Sequence, residues 1–351
     1  MRSFDYSTLK EKTWDHEIIS LIAQIHEYKG RQEVYLKQKP EELNKLVEIA
    51  KRQSTEASNA IEGIRTTNAR LKELCEEKTT PKNRDEEEIL GYRDVLNTIH
   101  ENYEYIPIRT NYILQLHRDL YKYTEKSIGG HFKISQNVIA AIDRNGKEYI
   151  LFTPLAPYET APAMDAICES YNKMIENDEL DAILLIPIFI HDFLCIHPFS
   201  DGNGRMSRLL TALLLYRSGY VVGKYISIES KIANNKDLYY KALEDCQSGW
   251  YENDEDVTPF VKYMLRIILA AYRDFEERVE LVSEKLPAKE IVRRAIYSKM
   301  GKLSKSDISE LCPSIGVKSV ELALKQLVDE GVLEKKGLGR ATFYIRKDIN
   351  L

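Results

Sequence analysis

The chain has 351 residues, of which 43% are hydrophobic and 30% charged, with only 11 prolines and 16 glycines; this composition fits about two or three globular domains and excludes a disordered, collagen-like or linker-rich protein. A net charge of −5 gives the whole chain no bulk attraction to nucleic acid or to anionic membrane. The longest apolar run, residues 182–190, is about half of what a bilayer requires, so no membrane partner is expected. The first residues lack the apolar stretch of a signal peptide, and the five cysteines are odd in number and scattered, with no C-x-x-C pair. A reducing, cytoplasmic setting is therefore expected.

The pattern over 14–100 is mostly helical, with Ile18, Leu21, Ile22 and Ile25, then Leu43, Leu46, Val47 and Ala50, recurring at helical spacing. An amphipathic segment follows over 112–123 until Gly129 and Gly130 break it. Residues 132–153 change period. Val138, Ile139 and Ile142 precede Asp143-Arg144-Asn145-Gly146, and Tyr149, Ile150 and Leu151 follow, which predicts a β-hairpin around an Asn-Gly turn. Pro154, Pro157 and Pro162 close the hairpin segment, with helix expected to resume near Ala163. Helices are predicted over 182–195, 205–218, 236–246 and, as one long element, from 257 to about 284.

Residues 286–351 carry 13 basic and 8 acidic side chains, a charge of +5, against −10 for the rest. The order there is helix (289–299), short helix (305–311), helix (318–330), then β-like runs at 332–335 and 341–346 around Gly337-Leu338-Gly339. That is the order of a winged helix-turn-helix, with Lys318, Lys325, Lys335, Lys336 and Arg340 as candidate phosphate contacts for DNA. Glu321, Asp329 and Glu330 dilute that field, so packing, homodimer formation or target recruitment are equal alternatives.

The chemistry concentrates at residues 196–208, IHPFSDGNGRMSR. Gly202, Asn203 and Gly204 form a glycine-rich turn directly before an apolar-periodic helix, so their backbone N–H groups can make an anion nest at a helix N-terminus. Arg205 and Arg208 stand at i and i+3 on that helix, suited to a polyanion. Asp201 is a carboxylate where a phosphate-bound Mg²⁺ needs a protein ligand, and His197 is a base able to work near neutrality. Together these residues suggest phosphoryl or nucleotidyl transfer.

This stretch resembles the H-x-F-x-D/E-G-N-G-R-x-x-R signature of the Fic family at every fixed position. Gly130-His131-Phe132-Lys133, the hairpin and Phe152-Thr153-Pro154 resemble the family's flap and its flanks, so the likeness covers roughly 110–270. It implies a mainly α fold: an N-terminal helical region (1–109), a Fic-type helical core with a hairpin flap and a following long helix (110–285), and the winged helix-turn-helix (286–351). It further implies AMP transfer from ATP, with Mg²⁺, to a Ser, Thr or Tyr hydroxyl of a target protein or of the chain itself. In that scheme His197 deprotonates the hydroxyl and a buried Phe199 holds the loop. Asp201 binds the metal, Gly202, Asn203 and Gly204 cradle phosphates, and Arg205 and Arg208 neutralise the distal end. The flap, with Val138, Ile139 and Tyr149, would align an extended target segment, and Tyr239 and Tyr240 stand at a plausible place for the nucleoside.

Ser58-Asn59-Ala60-Ile61-Glu62-Gly63 resembles the family's S/T-x-x-x-E-G/N inhibitory motif, which implies that Glu62 pairs with Arg208 and withholds it from the γ-phosphate. Removal of AMP, transfer of UMP, or a DNA-binding regulator with a ligand-sensing core are the alternatives. Leu116-His117-Arg118-Asp119-Leu120 mimics a kinase catalytic loop, but no other kinase part is present and the segment fits a helix. His191 is expected to be structural.

Overall fold

The computed structural model describes the chain except residues 1, 39, 125–127, 143–147, 284–286, 298, 300, 313–314 and 348–351. The fold is mainly helical, with two small antiparallel sheets. It divides into two compact units, one of Met1–Lys29 and Ala50–Ala271, the other of Gly30–Ile49 and Tyr272–Leu351.

Helices α1 (His16–Gln38), α2 (Pro40–Ile61), α3 (Asn68–Cys75), α4 (Arg84–Asn102) and α5 (Thr110–Leu120) come first. Ile18, Leu21 and Ile25 are buried, which accounts for the helical spacing at that end. Strands β1 (Ile139–Ile142) and β2 (Glu148–Phe152) pair antiparallel, Ala140 opposite Ile150, with an irregularity between Ile139 and Ala140. The Asn-Gly turn expected at 143–146 lies outside the described residues.

Helix α6 (Pro157–Glu176) corrects the sequence reading: it starts six residues before Ala163. Pro157 occupies the first helical position, where its missing N–H costs nothing. Pro162 lies inside the helix, and the carbonyl it cannot bond belongs to solvent-exposed Tyr158. Helix α7 (Ala182–Ile196) is buried almost all round, as its uniformly apolar sequence requires, and α8 (Asn203–Arg217) packs on it and on α4. Helices α9 (Ile228–Asn234), α10 (Lys236–Asp245) and α11 (Thr258–Ser283) follow. The short α9 escaped the sequence reading because it buries only Ile228, Glu229 and Ile232.

The C-terminal part has α12 (Ala288–Tyr297), β3 (Leu303–Ser304), α13 (Lys305–Leu311), α14 (Val317–Asp329), β4 (Leu333–Lys336) and β5 (Phe343–Arg346). Its three strands form an antiparallel sheet in the order β3-β5-β4. Ile291, Val292, Ile296, Ile308, Leu324 and Leu327 form its core with neighbouring apolar side chains. The two-residue β3 is too short to give a period-2 signal.

Candidate active site

His197 caps the C-terminus of α7 in the left-handed region, at φ 50°. Its Nδ1 lies 3.1 Å from the Leu194 carbonyl oxygen. A carbonyl only accepts, so Nδ1 carries the proton and Nε2 keeps its lone pair. Burial, with the Lys133 ammonium nearby, pushes the imidazole pKa down to about 4 against the lift from Leu194. At neutral pH the ring is an uncharged base.

The loop after His197 is clamped from three directions. Asn203 accepts from the Phe199 N–H (2.9 Å) and donates to the Phe199 carbonyl (2.7 Å), closing the loop on itself. Phe199 is fully buried and stacks on His117 at 3.6 Å. His117 accepts from the Gly130 N–H (3.0 Å), so its other ring nitrogen carries the proton and donates to the Asp201 carbonyl (3.0 Å). Burial holds His117 neutral, with its pKa lowered to about 4. On the hairpin side the buried Lys133 ammonium donates to the Ile196 carbonyl (3.0 Å) and to Asn137 (2.8 Å), and burial lowers its pKa to about 8. Asn137 donates to the carbonyls of His197 (3.3 Å) and Phe199 (3.1 Å).

Beyond the loop, the α8 ladder begins with the Met206 N–H to Gly202 O bond at 2.9 Å. The N–H groups of Asn203, Gly204 and Arg205 therefore have no carbonyl within the helix, and the macrodipole adds positive potential there. Since the Asn203 side chain is engaged with Phe199, its backbone N–H is what it can offer an anion. Gly202 sits at φ +83°, and a Cβ there would meet the Tyr121 hydroxyl at 2.8 Å. A Cβ on Gly204 would collide with Glu62 Oε1, so the Glu62 carboxylate lies directly against the start of α8.

Both arginines are buried. Arg208 donates through Nε to Ser58 Oγ (2.8 Å) and through Nη2 to the Ser58 carbonyl (2.9 Å) and Glu62 Oε1 (2.7 Å). Burial opposes its charge, yet the Glu62 carboxylate and nearby tyrosines hold its pKa above the usual arginine value. Glu62 follows the last turn of α2, and Gly63 turns the chain at φ +83°. Arg205 Nη2 is held by the Tyr121 hydroxyl (2.8 Å) and Glu88 Oε2 (2.7 Å), while its buried Nε and Nη1 have no hydrogen-bond partner. A buried donor left unpaired costs about 1–3 kcal/mol, so these two nitrogens favour an incoming acceptor.

Asp201 is half-exposed; its Oδ1 accepts from the Gly202 N–H (2.7 Å), and Oδ2 lies 3.8 Å from Arg84 Nη2. Among the described residues no group of three or more His, Cys, Asp or Glu could hold a metal. A half-exposed carboxylate beside a polyanion nest suits Mg²⁺, which takes one or two carboxylates and completes its shell with phosphate and water.

His197, Asp201, the turn of Gly202 to Gly204, both arginines, Glu62, Glu88 and Arg84 line one cleft of about 540 Å³. Tyr240 and Ile139 line it too, Tyr240 half-exposed with burial raising its hydroxyl to about 12. Tyr239 reaches the same cleft but is buried, its ring packed on Tyr240, Phe260 and Tyr263. Val138 and Tyr149 are exposed on the hairpin segment and are not among the cleft's lining residues. His191 is buried, 3.6 Å from the Cys195 sulfur.

The sequence pattern of the Fic/DOC family matches residues 107–215, the stretch holding His197, the nest and both arginines. The chain carries a Fic/DOC domain. It is 29% identical over 211 residues to the protein adenylyltransferase Fic of Drosophila yakuba, a match covering 59% of this chain and 38% of that protein. A Fido domain-containing protein of Dictyostelium discoideum is 27% identical over 148 residues, covering 42% of this chain and 96% of that one. Among solved structures, a Fic family protein from Desulfovibrio desulfuricans shares the fold with a TM-score of 0.62 at 21% identity, over 97% of this chain and 98% of its own. A Fic domain-containing signaling protein from Bacteroides thetaiotaomicron has a TM-score of 0.60 at 25% identity, over 75% of this chain and 97% of its own.

Several residues that build the Fic site were not singled out in the sequence. Glu88 and Arg84 come from α4, outside the matched stretch, and Tyr121 follows α5. His117 was visible only as part of a kinase-like string; its work is to carry the loop. Lys133 stood in the flap flank without an assigned role.

Proposed function

We propose that this protein transfers AMP from ATP to a hydroxyl of a target protein, or of its own chain, and that Glu62 restrains it. The observation that carries the reading is the convergence, in one cleft, of a neutral His197 with a free Nε2, the open N-terminus of α8 and a buried Arg205 with two unpartnered nitrogens. The relatives named protein adenylyltransferase support the same reaction, although the chain spans only 38% of the length of the Drosophila protein.

In this reading His197 Nε2 takes the proton of the target hydroxyl as its oxygen attacks the α-phosphorus. The bond from that phosphorus to the bridging oxygen breaks, and pyrophosphate leaves. The α8 N–H groups, Arg205 and Arg208 bind the phosphates and stabilise charge in flight, so catalysis is mainly positioning and electrostatics. Mg²⁺, held by Asp201, would supply charge neutralisation of the phosphates. Tyr240 would border the nucleoside, and the segment of Val138, Ile139 and Tyr149 would align the target.

The restraint is direct competition. Glu62 takes an Arg208 nitrogen and lies against Gly204, where a phosphate oxygen would otherwise sit. Ser58 fixes the same guanidinium from the side.

The test is incorporation of α-labelled ATP, with Mg²⁺, by Glu62→Gly protein in host lysate, with Glu62→Gly/His197→Ala as control. Label present in the first and absent in the second supports AMP transfer with His197 as base. No label in either overturns ATP as donor and turns attention to UTP, or to removal of AMP from a modified target.

DNA binding by residues 286–351, taken as a winged helix, is a second reading. It rests on the +5 charge and on exposed Lys318 and Lys325 of α14 and Lys335 and Lys336 of β4. A mobility shift that persists in His197→Ala would support it.

A further inference from the structure

Glu88 is a buried carboxylate with two arginine partners. Its Oε2 takes Arg205 Nη2 at 2.7 Å and its Oε1 takes Arg84 Nε at 2.7 Å. One carboxylate thus holds two guanidinium groups side by side on the wall of the cleft. Arg205 is closed off from water, with side-chain exposure of 1%, whereas Arg84 is 56% exposed and lines the cleft at its open side. Arg84 Nη2 also lies 3.8 Å from Asp201 Oδ2, at the acidic group that would meet the metal-bound phosphates.

An i, i+4 pair such as Arg84 and Glu88 on a helix surface is worth only a few tenths of a kcal/mol. The shared, buried acceptor makes this one different. Glu88 is 4% exposed and already neutralised by Arg205, so folding does not require a second cation beside it. The second cation also repels the first. That arrangement becomes favourable when a polyanion enters, since it can bond both guanidinium groups while Glu88 keeps them in register.

We infer that Arg84 is a third polyphosphate-binding arginine, supplied by α4 and aimed by Glu88 at the phosphates distal to the attacked phosphorus. The inference rests on the nucleotide-transfer reading above. It adds to the preference for nucleoside triphosphates over monophosphates that Arg205, Arg208 and the start of α8 give the cleft.

The test is calorimetric titration of three probes, with Mg²⁺, into full-length Glu62→Gly/His197→Ala protein, which cannot turn over: ATP, inorganic tripolyphosphate and AMP. Adding Arg84→Gln should weaken ATP and tripolyphosphate about tenfold, the worth of one charge-assisted hydrogen bond, and leave AMP within about twofold. Arg84→Lys should recover part of the loss. Arg84 is exposed, so neither change should disturb folding. Unchanged binding of ATP and tripolyphosphate in Arg84→Gln would overturn the inference, as would an equal loss for AMP. A parent protein that binds none of the three would overturn the nucleotide reading itself, and this inference with it.

Discussion

The stretch from His197 to Arg208 and the segment from Ala288 to Arg346 use charge in opposite ways. In the first, Arg205 and Arg208 are buried, and each is fixed by a carboxylate distant in sequence. Donors remain unpaired on Arg205 and along the first turn of α8. In the second, no polar or charged side chain is buried among the described residues, and ion pairs such as Lys305–Glu321 and Lys289–Glu330 lie at the surface. Surface pairs of that kind contribute little to stability and constrain little. Buried arginines with orphan nitrogens are costly, and a fold retains them where a ligand repays the cost. The contrast marks the start of α8 as the candidate site and the described part of 288–346 as an apolar core with a charged exterior.

Four substitutions test this contrast. His197→Ala should cut AMP transfer by about a thousandfold or more, since the imidazole assigned to deprotonate the hydroxyl is lost; a rate assay on Glu62→Gly enzyme reads it. Arg208→Ala should cost about a hundredfold in the same background, because a buried guanidinium assigned to the phosphates is lost. Gly202→Ala should destabilise the fold by about 1–3 kcal/mol, measured by denaturant titration, from its φ of +83° and the approach to Tyr121. Lys318→Glu/Lys325→Glu should leave nucleotide transfer within about twofold while abolishing any DNA mobility shift.

The pH profile sharpens the same point. Burial lowers His197 to about 4, so protonation removes the base only when the pH falls toward that value. For Glu62→Gly enzyme, kcat/KM should hold within about twofold between pH 7 and 5.5, whereas an imidazole of ordinary pKa would lose about eightfold. A steep fall through pH 6.5 would contradict the buried, neutral histidine.

How much of this was legible depended on distance along the chain. The string from His197 to Arg208 could be read because base, nest and cations lie within one loop and one helix turn, where residue type and spacing alone imply an anion site. The α5 and α11 periods showed through because their buried faces are apolar, and α7 because nearly its whole length is apolar and buried. Glu62 lies 146 residues from Arg208, and only a family resemblance suggested pairing them. Glu88 and Arg84 had no such signal: on sequence they are an ordinary i, i+4 pair, and nothing local reveals that Glu88 is buried against Arg205. The start of α6 was misplaced because prolines read as a stop, although Pro157 at a first helical position is a start.

The proposed restraint is that the Glu62 carboxylate, paired with Arg208 and lying against Gly204, keeps phosphate from the start of α8. The most direct measurement is the initial rate of AMP incorporation from α-labelled ATP by Glu62→Gly relative to the unaltered protein, with Glu62→Gly/His197→Ala as the blank. The rate should be at least about tenfold higher in Glu62→Gly, the worth of one charge-assisted bond returned to the phosphate. Equal rates, both above the blank, would contradict it.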